Sequence, residues 1–255
     1  MSRHFIIGDV HGMLKELNTL LSDLRPSHTD TIVFVGDLID KGPDSLGVVS
    51  AVRKLSERCN VVVVEGNHED KHRRFRRNLV LRPEIAQGQA DRSPELAQIT
   101  ADLTEDDINF LDSAVPFHRI EEHNVLVVHA GIPGNMVTFP ETVEEVAAMS
   151  NKARKIIEKT ARVRHVNVET GKFIKLGDET EADPFWADVF DGRFGHVVFG
   201  HEPFTSGVAH FDHATGIDTG AVFGGFLTAM VIEENGSRSF VSIPSREITT
   251  ARGGA

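Results

Sequence analysis

The sequence predicts an α/β fold, a β-sheet covered by helices, and three observations carry that expectation. Short β-branched runs stop abruptly at Gly, Asp, Asn or His: Phe5-Ile6-Ile7-Gly8-Asp9, Ile32-Val33-Phe34-Val35-Gly36-Asp37, Val61 to Val64 before Glu65-Gly66-Asn67, Val125-Leu126-Val127-Val128-His129 and His196-Val197-Val198-Phe199-Gly200-His201. Continuous apolar runs bounded by turn residues read as strands buried on both faces. Apolar residues between the early runs fall at helical spacing, and the segment after His201 turns to short strands. A chain of 255 residues, against roughly 150 for a typical domain, suits one domain with modest insertions. We place that domain at residues 1–248, with helical insertions at about 83–118 and 137–161 and a frayed tail at 249–255.

Taken in order, Leu14, Leu17, Leu20, Leu21 and Leu24 form a helical stripe that Pro26 stops, so the first two strands and this helix make a βαβ unit. Pro43-Asp44-Ser45 opens a second helix with Val49, Val52 and Leu55 inward. Residues 86–103 have weak periodicity and several turn formers, while Thr104 to Asp107 is a capping box ahead of Ile108 and Leu111. Val137 to Ala161 reads as helical. Beyond His201, strands are expected at Val208 to Phe211, Ile217-Asp218, Phe226 to Ile232 and Ser239 to Ile243, the last two joined by the hairpin signal Asn235-Gly236.

Composition narrows the function. Forty per cent apolar residues, a quarter charged and a mean hydropathy of −0.17 describe a globular chain rather than a collagenous or disordered one. The uncharged stretch Thr219 to Ile232 is short of the roughly 20 residues of a membrane helix, so no membrane partner is expected. Met1-Ser2-Arg3 leads straight into an apolar run without a signal-peptide pattern, and the single Cys59 has no internal partner, so the expected setting is cytoplasmic. With 27 basic against 38 acidic residues, stable binding to nucleic acid is not expected. The composition says nothing of the oligomeric state.

The strand ends deliver Asp9, His11, Asp37, Asn67, His129 and His201, and in open α/β sheets ligands sit beyond the carboxyl ends of strands. Each Gly-Asp pair alone could be a turn or helix cap. Together, carboxylate, imidazole and amide oxygen suit borderline divalent metals such as Mn, Fe, Zn or Co better than Mg or Ca. Six donors exceed the needs of one catalytic ion and fit two ions sharing a carboxylate, an arrangement that clamps the attacking and leaving oxygens of phosphoryl transfer.

The ordered phrases Gly8-Asp9-Val10-His11-Gly12, Gly36-Asp37-Leu38-Ile39-Asp40-Lys41-Gly42, Gly66-Asn67-His68-Glu69, His129-Ala130-Gly131 and Gly200-His201 resemble the calcineurin-like metallophosphoesterases, specifically their phosphoprotein-phosphatase branch. The resemblance implies a mixed β-sheet sandwich flanked by helices, with the metal site at the carboxyl ends of the strands. It also implies that Asp9 and His11 hold one metal, that Asp37 bridges, that Asn67, His129 and His201 hold the second, and that His68 is a general acid oriented by Asp40. Lys41 stands where the branch has a phosphate-contacting Arg; it keeps the charge and loses the bidentate fork. The phrase Ile217 to Ala229, with Arg162-Val163-Arg164 and Trp186, is similar to the bacterial symmetrical dinucleoside tetraphosphatases. The expectation is therefore in-line attack by a metal-activated hydroxide on a dinucleoside polyphosphate, with Ap4A giving two ADP and Mn as the metal. The alternative is a serine/threonine protein phosphatase, and polyphosphatase or RNA-cap cleavage comes behind it.

His68-Glu69-Asp70-Lys71-His72 fits the H-E-x-x-H metalloprotease pattern, but a protease needs its two His one turn apart on an established helix, and Gly66-Asn67 places His68 just beyond a strand end. Gly220 to Gly225 lacks the Lys-Ser/Thr of a phosphate loop. A dead phosphate-binding module would be expected to have lost a ligand or the acid, and none is missing. Lys71, Arg73, Arg74, Arg76, Arg77 and Arg82 form a basic segment that is either a solvated helix face or a wall steering phosphate; Arg74, Arg154, Arg162 and Arg164 are the candidates for holding phosphate.

Overall fold

The computed structural model describes residues 2–245, so the expected tail at 249–255 lies outside the described residues. Two five-stranded mixed sheets pack face to face. The first runs β10-β9-β1-β2-β3, built from β1 (His4–Ile7), β2 (Thr31–Phe34), β3 (Asn60–Val63), β9 (Phe226–Ile232) and β10 (Arg238–Pro244). The second runs β4-β5-β6-β8-β7, from β4 (His118–Ile120), β5 (Val125–Val127), β6 (His196–Phe199), β7 (Ala209–His210) and β8 (Ala214–Gly216). In the first sheet parallel β1, β2 and β3 continue on one side into the antiparallel β9–β10 hairpin, and in the second parallel β5, β6 and β8 lie between antiparallel β4 and β7.

Strand alternation explains the layers. Ile6 of β1 and Val33 of β2 point into the space between the sheets, where they meet Val125, Val127 and Val198 of the second sheet. Their neighbours Phe5, Ile7, Ile32 and Phe34 point outward onto the helical layer. There α1 (Leu14–Leu24) and α2 (Ser45–Ser56) bury Leu17, Leu20, Leu24, Val49, Val52 and Leu55. The helix α1 ends on left-handed Arg25, whose N–H bonds Leu21 O, immediately before Pro26. Asp44 caps α2 by accepting from Gly47 N–H.

The helix α3 (Asn67–Leu81) follows β3 almost directly. Residues 86–103, poor in periodicity, fold as α4 (Pro83–Arg92) and α5 (Pro94–Asp102), each opened by a proline in the first turn. Proline there supplies a helical φ where its missing N–H costs nothing, a signal that amphipathic spacing does not carry. The Thr104/Asp107 capping box opens α6 (Glu105–Asp112) as expected. The second insertion is corrected at its start: residues 137–142 are irregular, and helix begins with α7 (Val143–Ala148) and resumes in α8 (Asn151–Ile157), which cover the outer face of the second sheet. One strand expectation is corrected: β8 occupies Ala214–Gly216, and Ile217-Asp218 lies just past its end. Among the described residues, no helix is long and apolar enough to cross a membrane.

Asp30 ties the starts of the first two strands together. Its buried carboxylate accepts from Arg3 N–H at 2.9 Å, Ser27 N–H at 2.8 Å, Ser27 Oγ–H at 2.9 Å and the Arg3 guanidinium at 2.9 Å. Burial alone would raise its pKa; the bonds from Arg3 and Ser27 outweigh it and hold the carboxyl well below the usual range. A depressed folded-state pKa adds stability that is complete above the unfolded value, near 3.9, and disappears as pH falls through the folded one. Asp30→Asn is therefore expected to cost about 1.5–3 kcal/mol at pH 7, with the gap from wild type narrowing below about pH 4. Urea melts at pH 7 and pH 3 check this, and equal midpoints at pH 7 would contradict it.

Candidate metal centre and active site

The loops after β1, β2, β3, β5 and β6 bring the six sequence-derived residues to one end of the sandwich. The turns are tight. Five of the seven non-glycine residues with positive φ among the described residues are here: His11, Asp37, Asp40, Lys41 and His201. Such conformations cost roughly 1–3 kcal/mol each and persist only where surroundings over-determine them. One such restraint is Glu69, a buried side chain on the first turn of α3, which accepts from the backbone N–H of Asp37 (2.8 Å), Leu38 (2.8 Å) and Gly66 (3.0 Å). Gly66 has no room for a side chain, since a Cβ would meet Asp37 Oδ1 at 2.1 Å.

Asp37 is at the middle. Its Oδ2 lies 3.5 Å from His11 Nε2, 3.4 Å from His129 Nε2 and 3.9 Å from His68 Nε2. The Nδ1 atoms of His11 and His129 face the carbonyls of Ile39 (2.9 Å) and Val35 (2.8 Å). A carbonyl can only accept, so both rings carry a proton on Nδ1 and aim Nε2 at the cluster. Asn67 Oδ1 lies 3.0 Å from His129 Nε2. The carboxylate of Asp9 accepts from His201 N–H at 3.1 Å and lies 4.0 Å from His11 Nε2.

These donors fit a pair of divalent ions. Two groups, His11/Asp37/His68 and Asp37/His129/His201, each bring their ligand atoms within 4.8 Å of one another, and Asp37 belongs to both. His201 Nε2 is buried without a hydrogen-bond partner among the described residues. Burial pushes His11 down to about 3, leaving it neutral. Burial opposes ionisation of Asp37, but His129, His68 and His11 overcome it and hold the carboxyl well below the usual range. His129, opposed by burial, is pushed up to about 9 by Asp37, Asp9 and Glu69, so a metal ion at its Nε2 would displace a proton.

Asp40 is buried and organises three cations or imidazoles: His68 Nδ1 at 2.6 Å, His72 Nε2 at 2.7 Å and Lys71 Nζ at 2.9 Å. Burial works against its charge, yet the bonds from His68 and His72 hold its carboxyl well below the usual range. It remains an acceptor and orients His68 with Nε2 toward Asp37. The protease pattern is set aside for a reason different from the expected one. His68 and His72 do lie on a continuous helix, α3. Each gives a ring nitrogen to Asp40, however, and Glu69 is occupied by three backbone amides.

Glu69, His72 and Asp218 were not singled out as site residues. Asp218 sits at the end of an apolar run like the other strand-end acids, is buried, and accepts from Gly220 N–H at 2.9 Å. Burial pushes it up to about 6, and its charge also raises Asp9. Its strand-end position was a usable signal; the roles of Glu69 and His72 depend on segments some 30 residues away.

The basic candidates are less uniform. Lys41 Nζ lies 3.1 Å from His11 Nε2 and 5.5 Å from the Phe223 ring centroid. Arg162 and Arg74 both pair with Asp70, and Arg164 pairs with Glu202 at 2.7 Å while reaching His201 O at 3.4 Å. If Lys41 contacts phosphate, Lys41→Ala should lower kcat/KM by about 10- to 100-fold, the loss of one charged hydrogen bond, and Lys41→Arg should retain or raise it through the restored fork. Wild-type kinetics in Lys41→Ala would leave this lysine as a charge on a turn.

A nest of buried carboxylates and imidazoles at the mouth of a two-sheet sandwich defines the class. Residues 3–218 match the calcineurin-like phosphoesterases, and the chain belongs to that family, whose members are hydrolases with a dinuclear divalent metal site. Among its relatives are two proteins named bis(5'-nucleosyl)-tetraphosphatase PrpE, asymmetrical. The one from Oceanobacillus iheyensis is 31% identical over 256 residues, covering 95% of this chain and 92% of the relative. The one from Halalkalibacterium halodurans is 32% identical over 259 residues, covering 95% and 94%. A crystal structure described as a candidate diadenosine tetraphosphatase superposes with a TM-score of 0.70 at 27% identity, covering 95% of this chain and 93% of that one. A serine/threonine phosphatase from Saccharomyces cerevisiae shares the fold, with a TM-score of 0.61 at 14% identity over 96% and 81% of the two chains.

Proposed function

We propose that this phosphoesterase hydrolyses dinucleoside polyphosphates. The observation that carries the reading is the Asp37-centred nest with His68 and Asp40 beside it, in a chain similar over 95% of its length to relatives named as tetraphosphatases. Asp9, His11, Asp37, Asn67, His129 and His201 would hold the two metals, and Mn suits this mixed oxygen and nitrogen set. When bound, the ions supply Lewis acidity toward phosphoryl oxygens and lower the pKa of water.

The chain's own residues do the rest. Lys41 neutralises charge on the phosphoryl oxygens, His68 gives its Nε2 proton to the leaving oxygen, and Asp40 stabilises the ring that carries it. The 217–229 phrase suggested symmetrical cleavage, whereas the relatives that cover nearly the whole chain are named asymmetrical. We adopt the asymmetrical split, ATP and AMP from diadenosine tetraphosphate. Ion-exchange chromatography of products from the Mn-loaded protein decides it. Two ADP would restore the symmetrical reading, and no turnover alongside rapid phosphopeptide hydrolysis would favour the protein phosphatase alternative, to which the His68–Asp40 pair is also suited.

A further inference from the structure

A cavity of about 450 Å³ opens between α3 and the α7–α8 segment, and none of the six ligand candidates lines it. It adjoins the centre through the chain: Glu65 and Asp70 on its wall flank Asn67 and His68, and the carbonyl of Thr160, another wall residue, accepts from Ala130 and Gly131 next to His129. Its size falls within the roughly 300–1,000 Å³ of small-molecule sites.

The wall is two-sided in chemistry. Arg73, Arg74, Arg77, Arg154 and Arg162 face three carboxylates, Glu65, Asp70 and Glu158, so a local positive excess sits on a chain of net charge −11. Asp70, Arg73, Arg74 and Arg77 form an i, i+3, i+4, i+7 stripe on α3. Asp70 alone gathers Arg73, Arg74 and Arg162. Arg77 is exposed and has no ion pair among the described residues. Among the described residues, the Arg154 guanidinium is held only by the carbonyls of Ala147 (2.8 Å) and Met149 (3.4 Å), and its Nε is buried without a partner. Apolar Val146, Ile157 and Pro116 complete the lining.

We infer that this cavity binds the nucleoside and phosphates beyond the scissile phosphorus, with Arg77 and Arg154 as residues that set preference for long polyphosphate substrates. The inference rests on the dinucleoside polyphosphate reading. Guanidinium groups match phosphate oxygens and stack on bases, and the apolar wall gives a nucleoside a surface that an inorganic phosphate chain would not use. A phosphomonoester with a small aryl group carries neither the second phosphate nor the nucleoside that such a cavity would hold.

The test uses the Mn-loaded protein and Arg77→Glu, an exposed substitution, with Arg154→Lys as a second variant. The KM for diadenosine tetraphosphate should rise about tenfold or more in Arg77→Glu, while the KM for 4-nitrophenyl phosphate shifts less than twofold. ADP should inhibit wild-type hydrolysis of 4-nitrophenyl phosphate, more strongly than pyrophosphate does, and should lose about tenfold in potency in both variants. Equal KM changes for the two substrates, or no change for either, would overturn the assignment, as would pyrophosphate inhibiting as well as ADP. If the wild type does not turn over the tetraphosphate, the proposed function fails, and the ADP inhibition series still decides the cavity by itself.

Discussion

Asp37→Asn is expected to lower kcat by roughly 10³-fold or more and to reduce bound Mn from two ions per chain to one or none. The reason is position. Asp37 Oδ2 is the atom common to both donor groups, within 3.5 Å of His11 Nε2 and 3.4 Å of His129 Nε2. An amide offers one neutral oxygen in place of a shared charge, so both halves of the site lose their common ligand. His201→Ala, which touches one group, should retain one ion. Metal analysis after gel filtration, together with activity before and after chelation, measures both effects. The chelated wild type should be inactive and recover best with Mn. Full activity in chelator, or two ions retained by an active Asp37→Asn protein, would falsify the two-metal reading.

His68→Asn is expected to depress turnover within the ~10²–10⁴ range that general acids supply, and unequally between substrates. A serine alkoxide is strongly basic and needs a proton in the transition state. A nucleotide phosphate leaving from an anhydride is a weak base and needs it less. The loss should therefore be larger for a phosphoserine peptide than for diadenosine tetraphosphate. Asp40→Asn should move in the same direction, because its carboxylate orients His68 at 2.6 Å as well as holding His72 and Lys71. A loss of equal size for both substrates would assign His68 to phosphate binding rather than proton transfer. Thermal melts alongside the kinetics separate this from unfolding, which matters for Asp40 because its other partners are structural.

The parts of this protein legible in its sequence are those set by neighbours along the chain. A β-branched run followed by Gly-Asp writes both the strand and the side chain at its end, so β1, β2, β3, β5 and β6 and all six ligand candidates were readable one segment at a time. The caps of α2 and α6 were readable for the same reason, the capping group being within three residues of the amide it satisfies.

Tertiary structure decided what lies across the fold. Glu69 supports the Asp37 turn from 32 positions away, His72 joins His68 on one carboxylate, and Asp70 collects arginines from α3 and from Arg162, 92 residues on. Residue type alone offers Arg74, Arg162 and Arg164 as candidates for holding phosphate, and only packing shows that each also pairs with a carboxylate. The physical reason is that a strand, a cap or a turn is settled by backbone hydrogen bonds and side-chain alternation over a few residues, while a charge is settled by whichever opposite charge the folded chain brings within about 4 Å.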